Sequence, residues 1–266
     1  MNNVDLTVAL PLYNSSKIFW LCLEGLCNQK TNYNWELIIC EDPSETFCGE
    51  NYIKPYADRL KVAGCINYRY ISLKEWIPLG QKWQVIAEQA QGENFMLTAA
   101  DNYSPNNRIQ LSCEALINDI QWFDCRESLF YNVLSRDEGH IVINSINTGV
   151  WMCTKTRLVK SLKGKGPRSG IDNWMQKQFQ LTRNQKATVN DYLLGFHTDG
   201  MNNISLGRRN LYKDKNYFKS AQARGGANTP QGGWPSSFME PKYRIEDVLS
   251  KPLLDKIYSL SESSHE

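Results

Sequence analysis

Three acidic positions stand where an apolar run gives way to a turn or a helix: Glu41-Asp42, Asp101-Asn102 and Asp172. Carboxylate oxygens suit hard divalent cations such as Mg²⁺ or Mn²⁺, and a carboxylate facing a hydroxyl can take its proton. Each position also has a plainer reading. Asp and Asn are common turn formers, and an aspartate at a helix start is favoured by capping and by the helix dipole. His197 lies in the polar, turn-rich stretch 195–203, where a metal ligand, a sugar contact and a surface histidine are all open. Further on, residues 206–224 carry Arg208, Arg209, Lys213, Lys215, Lys219 and Arg224 against the single acid Asp214, with Tyr212, Tyr217 and Phe218 between them. Basic residues with aromatics can grip phosphates or unstacked bases; a solvated helix face explains the same run.

The surrounding pattern decides which acids can meet. Residues 4–12 (VDLTVALPL), 35–40 (WELIIC), 66–71 and 95–98 read as short buried strands, and 18–29, 52–63 and 81–90 as helices. Such alternation predicts a parallel sheet with right-handed crossovers and helices on both faces. Ligands in such sheets bind outside the carboxyl ends of the strands. Glu41-Asp42 and Asp101 follow two of those ends, so both are expected on one edge. No G-x-G-x-x-G follows the first strand, which disfavours a dinucleotide cofactor.

After Pro105 the order changes. Residues 108–116 read as a helix, 122–130 and 140–152 as strands without an intervening helix, hence an antiparallel extension. A Gly/Pro/basic loop over 160–170 precedes a helix at 171–179, and an amphipathic helix at 246–260 closes the chain. The expected organisation is one domain over 1–205, with the alternating half at 1–105 and the antiparallel half at 106–205. The C-terminal basic segment, loop and helix of 206–266 pack on it.

The 266 residues, 41% hydrophobic and 22% charged with net charge +2, suit a globular enzyme rather than a polycation. Eight scattered cysteines without C-x-x-C, and three histidines, argue against a zinc module and for reduced, buried thiols of a cytoplasmic protein. The start of the chain has no leader pattern, and no apolar run reaches membrane-spanning length. No membrane association is therefore expected.

In order and spacing the motifs resemble the family 2 glycosyltransferases of the GT-A fold. Pro11-Leu12-Tyr13-Asn14 is similar to the P-x-Y-N that opens the family. Cys27-Asn28-Gln29 matches the glutamine near the first helix end, Glu41-Asp42-Pro43-Ser44 the acidic pair, and Ala99-Ala100-Asp101-Asn102 the metal motif. Gly170-Ile171-Asp172-Asn173-Trp174 is similar to the motif carrying the catalytic base. The first acid of the D-x-D pair is replaced by Ala99, and the base motif reads Ile-Asp.

The resemblance implies a Rossmann-like GT-A domain and an inverting, metal-dependent transfer from a UDP-sugar. It implies that Pro11, Leu12, Tyr13, Asn14, Glu41, Asp42, Lys82, Ala100 and Asp101 contact the nucleotide sugar. A carboxylate of Glu41 or Asp42 would accept the uracil N3–H. Asp101, with His197, would hold Mn²⁺ or Mg²⁺, and Asp172 would act as base. Arg208, Arg209, Lys213 and Lys215 would contact phosphates or DNA.

The stretches WELIICED, IPLGQKW, AADNYSP and FHTDGMNNIS are more similar to phage-borne members, whose relatives glycosylate hydroxymethylcytosine in DNA. DNA is therefore the expected acceptor, in host cytoplasm. Two alternatives remain open: a bacterial surface-polysaccharide transferase, and a non-catalytic sugar-nucleotide-binding protein that lost turnover with the first acid. A sugar nucleotidyltransferase would need a Gly-rich phosphate loop, which PLYNSSK is not.

Overall fold

A computed structural model describes residues 3–13, 15, 19–116, 122–132, 140–144, 152–154, 159, 162, 171, 186–199 and 238–262. The first half alternates as expected: β1 (Leu6–Leu12), α1 (Phe19–Cys27), β2 (Trp35–Glu41), α2 (Gly49–Ile53), a 3-10 turn (Lys54–Tyr56) and α3 (Ala57–Val62). β3 (Cys65–Ser72), α4 (Leu79–Gln89) and β4 (Asn94–Leu97) follow. The expected helix over 52–63 is thus three short pieces. Pro55 sits at their junction, inside the 3-10 turn, because its ring cannot join an uninterrupted α-helical ladder.

β1 is the centre. It pairs in parallel with β2 on one side and β4 on the other, and β3 lies outside β2. Side chains alternate across a strand, and β1 buries both sets. Leu6, Val8, Leu10 and Leu12 join α1 and α5 (Arg108–Ala115) in one apolar core, while Ala9 joins α4 in a second on the opposite face. β2 splits likewise, with Leu37 and Ile39 on the first face and Ile38 and Cys40 on the second. Burial on both faces accounts for the near-continuous apolar runs.

The sheet then continues antiparallel from β4 through β8 (Met152–Thr154), β6 (Trp122–Asn132) and β7 (His140–Asn144) to β10 (Phe238–Arg244). The antiparallel extension is as expected, though 140–152 forms two strands rather than one. A long strand, β9 (Lys186–Asp199), pairs in parallel with β6 and antiparallel with the two-residue β5 (Asn102–Tyr103). Residues 195–199, expected as a turn, are therefore strand: pairing on both sides overrides the polar local sequence. β10 carries Pro241 where its register with β7 shifts, the position a sheet allows a proline.

The closing helix is also broken, into α6 (Ile245–Val248) and α7 (Lys251–Glu262). Pro252, in the first turn of α7, would clash with the carbonyl of Val248 in one continuous helix; Leu249 is extended instead. The ammonium of Lys256 lies 3.9 Å from the centre of the Trp20 ring, so α7 docks on α1.

Gly25 of α1 fixes how closely that helix approaches β5. A methyl added there would stand 2.6 Å from the Ser104 amide nitrogen and 2.9 Å from its carbonyl oxygen. Backbone cannot yield as a side-chain tip can. Gly25→Ala is expected to destabilise the protein by about 1–3 kcal/mol, read as a lower urea midpoint at unchanged m-value; an unchanged midpoint would show that α1 shifts freely.

Candidate functional site

Parallel pairing points the carboxyl ends of β1, β2 and β4 to one edge, with β1 and β2 ending together and β4 ending opposite Ala9. Leu12 pairs with Glu41, and Ala9 with Leu97. The amide of Asp42 donates to the carbonyl of Leu12 (3.1 Å), and that of Thr98 to Ala9 (3.1 Å). Pro11 is half-buried, Leu12 is buried and Tyr13 is 40% exposed at this rim. Asn14 lies outside the described residues.

The two adjacent acids go to opposite faces. Strand alternation sends Glu41 to the side of Leu37 and Ile39, under α2. There its carboxylate accepts the Gly49 amide (3.0 Å) and the Tyr70 hydroxyl. Burial pushes its pKa up, opposed by those two hydrogen bonds. A side chain at position 49 would displace the tip of Leu12, so Glu41 partners a helix start that packs tightly on β1. Asp42 turns toward α4. It is 1% exposed, its Oδ1 accepts the Ile77 amide (3.2 Å), and its Oδ2 pairs with the ammonium of Lys82, itself 5% exposed. Lys82 therefore reaches the rim through Asp42.

The second acidic loop runs from Thr98 to Ser104. Ala100 is buried and packs on the core, and the Asn102 amide donates to Ala99 (3.1 Å) to close the turn. Asp101 is half-buried, and burial raises its pKa to about 6. Asn102 is fully buried, with neither amide atom of its side chain hydrogen-bonded to any described residue. Its ladder partner on β9 is His197, so the backbone brings His197 opposite the residue after Asp101. A desolvated carboxylate next to a buried amide, with a histidine across the ladder, fits a hard divalent cation in donor chemistry. Among the described residues no three His, Cys, Asp or Glu side chains converge.

Asp172, Arg208, Arg209, Lys213 and Lys215 lie outside the described residues. Ile171 is described: it is buried against the start of α4, where a methyl on Gly80 would stand 3.1 Å from its Cδ1.

Two supports of this site stand outside the expected site residues: Gln29, marked in the sequence without a role, and Arg108, which sequence reasoning missed. Gln29 is buried, donates to the carbonyls of Gly25 (2.8 Å) and Pro105 (2.7 Å), and accepts the Ile109 amide (3.0 Å). The glutamine at the end of α1 thus ties the second acidic loop to that helix. Arg108 is 0% exposed beneath the same loop. An arginine at a helix start reads as a surface residue, and nothing local marks it otherwise.

This rim on a mixed sheet is a GT-A-like α/β fold, and residues 7–120 match Glycosyl transferase family 2. The match supports that family and covers the alternating first part of the chain, under half of its length. A stretch of 71 residues is 32% identical to the chondroitin synthase of Escherichia coli; it covers 27% of this chain and 9% of that protein, so the chain spans under a tenth of its curated relative. The structure is similar to S. aureus TarS 1-349 in complex with UDP-GlcNAc, at a TM-score of 0.57 and 16% identity, over 75% of this chain and 60% of that one. It is also similar to the mannosyltransferase PcManGT from Pyrobaculum calidifontis in complex with GDP-Man and Mn²⁺, at a TM-score of 0.55 and 15% identity, over 99% and 75%. Among the described residues no helix is long and apolar enough to cross a membrane.

Two outcomes are expected of the isolated protein. Lys82→Met strands a buried carboxylate and costs about 3–5 kcal/mol in urea unfolding, part of which the Lys82→Met/Asp42→Asn double variant recovers. A double variant no more stable than Lys82→Met would mean the pair is not coupled. Asp101 has a folded pKa above its ordinary 3.8, so the folded state holds its proton more tightly. Stability of the metal-free protein then falls as pH rises from about 4 to about 6, by on the order of 2 kcal/mol. Asp101→Asn removes that fall; a fall of the same size in the variant assigns it to another group.

Proposed function

We propose that the protein is an inverting glycosyltransferase that moves a sugar from a UDP-sugar to a hydroxyl acceptor. The observation that carries this is the register around β1, which brings Asp42 and the Asp101 loop to one edge, on either side of Pro11–Tyr13. Pro11, Leu12, Tyr13 and Asn14 line the base and ribose. Glu41 or Asp42 meets the uracil N3–H; each already holds two protein donors, Glu41 the Gly49 amide and the Tyr70 hydroxyl, Asp42 the Ile77 amide and the Lys82 ammonium. Ala100 and Asp101 flank the diphosphate. Mn²⁺ or Mg²⁺ at Asp101 and His197 would offset the charge on the departing diphosphate.

Asp172 is the base. Its backbone follows Ile171, whose side chain packs at the first turn of α4, the helix that carries Lys82. Asp172 takes the proton from the acceptor hydroxyl as the oxygen bonds to the anomeric carbon. The bond from that carbon to the diphosphate oxygen breaks in the same displacement, so configuration inverts. UDP leaves with the electron pair.

For the acceptor we propose hydroxymethylcytosine in phage DNA, or a sugar already on it. Its substituent projects into the major groove, so the base can be reached without being flipped out. The support is in the sequence: the stretches similar to phage-borne members and the basic run containing Arg208, Arg209, Lys213 and Lys215. A second reading, a saccharide acceptor, is favoured by the similarity to chondroitin synthase.

The test is UDP release from a panel of UDP-sugars with Mn²⁺, in the presence of hydroxymethylated DNA, unmodified DNA or a soluble oligosaccharide. Release stimulated by hydroxymethylated DNA alone is expected, falling steeply with salt. Stimulation only by the oligosaccharide moves the acceptor to saccharide, and binding of UDP-sugars without release under any condition leaves a non-catalytic binder. Asp101→Ala is expected to lose metal-dependent UDP binding. Asp172→Asn keeps binding and loses transfer by about 10²–10⁴-fold or more.

A further inference from the structure

We propose that Arg108 is a positioning residue for Asp101: its buried guanidinium braces both ends of the loop that presents this carboxylate. The inference rests on the reading of Asp101 as the residue that meets the donor's diphosphate through a cation. Arg108 opens α5 and is 0% exposed. Its Nη2 donates to the carbonyl of Leu97 (2.9 Å), the last residue of β4. Its Nη1 donates to Ser104 Oγ (2.9 Å) and, more weakly, to Thr98 Oγ1 (3.4 Å). One planar group therefore holds the residues before and after Ala99–Tyr103.

A buried guanidinium is costly unless its donors are met, and filling the space with an apolar side chain is often the more stable solution. Three of its hydrogen bonds go to the two ends of one loop, the kind of contact a rigid fork makes. Position 99, two residues before Asp101, is alanine. No second carboxylate stands there to share a cation, so correct placement of Asp101 matters more. Gly25 and Gln29 grip Ser104 and Pro105 from the α1 side, and Arg108 grips the same loop from α5. Asp101 is thereby held from two directions without either brace touching the ligand.

The test compares wild type with Arg108→Lys, which keeps the charge and loses the fork. UDP affinity is measured by calorimetry with Mn²⁺ and with chelator, and amide hydrogen exchange is followed over 98–104. In Arg108→Lys, UDP affinity in chelator is expected to stay as in wild type, while the gain from Mn²⁺ drops by about 10–100-fold, the usual effect of losing a group that orients a metal ligand. Exchange over 98–104 speeds up while β1 and β2 stay protected. Ser104→Ala, which deletes one acceptor and spares the core, gives a smaller loss of the same kind and serves if Arg108→Lys does not fold.

A full Mn²⁺ gain in these variants overturns the proposal, as does an equal loss of affinity with and without metal, which marks a purely structural arginine. A wild-type protein that binds UDP with no gain from Mn²⁺ overturns the cation reading of Asp101, and the role of its brace with it.

Discussion

The parallel pairing of β1 with both β2 and β4 is the constraint on which the site depends. Those ladders start flush, Leu6 against Trp35 and against Asn94, and all three strands run the same way, so the loops that follow them leave by one edge of the sheet, β4 ending opposite Ala9 and β2 opposite Leu12. A slip of one residue would turn every side chain of a strand to its other face. In β2 such a slip would exchange Glu41 and Asp42, putting the glutamate beside Lys82 and the aspartate under α2. The buried Glu36 of β2, held by Thr7 and by the Gln91 and Gly92 amides, resists that exchange, because a slip would take it from its partners. That buried polar anchor therefore sets which acid faces which helix.

From that register the two acidic loops acquire different characters. At the Glu41–Asp42 step one carboxylate holds a helix start and a tyrosine through its Oε2, and the other a lysine and a loop amide. The Thr98–Ser104 loop is rigid at its ends and unsatisfied in its middle, where the buried Asn102 amide has no partner among the described residues. Buried polar groups are nearly always hydrogen-bonded, so an exception of this kind calls for an explanation. The position of Asn102, between Asp101 and the β9 ladder, puts the exception at the site rather than in the core.

Much of this was legible before the fold was known. The period of the apolar runs gave the four parallel strands and their helices, because strands buried on both faces leave a continuous apolar signature. The acids at 41–42 and 101 were visible as breaks in that signature. What escaped was set by tertiary contact. Residues 195–199 are polar and glycine-containing, and became strand because β5 and β6 offered edges to pair with. Arg108 carries a charge, which locally argues for solvent, and its burial is decided by carbonyl and hydroxyl acceptors four to eleven residues before it. The division of labour between Glu41 and Asp42 could not be read from a dipeptide; it needed α2 and α4 to be placed.

The thiols carry a practical corollary. Cys22, Cys65 and Cys113 are buried with pKa values pushed up to about 12 by desolvation, and Cys40 to about 11. They stay protonated at neutral pH and react poorly. Cys48 is exposed, one residue before α2 and 3.8 Å from the Tyr70 hydroxyl that contacts Glu41. A maleimide dye will therefore settle at Cys48 ahead of its buried neighbours, giving an optical reporter next to the β2 rim.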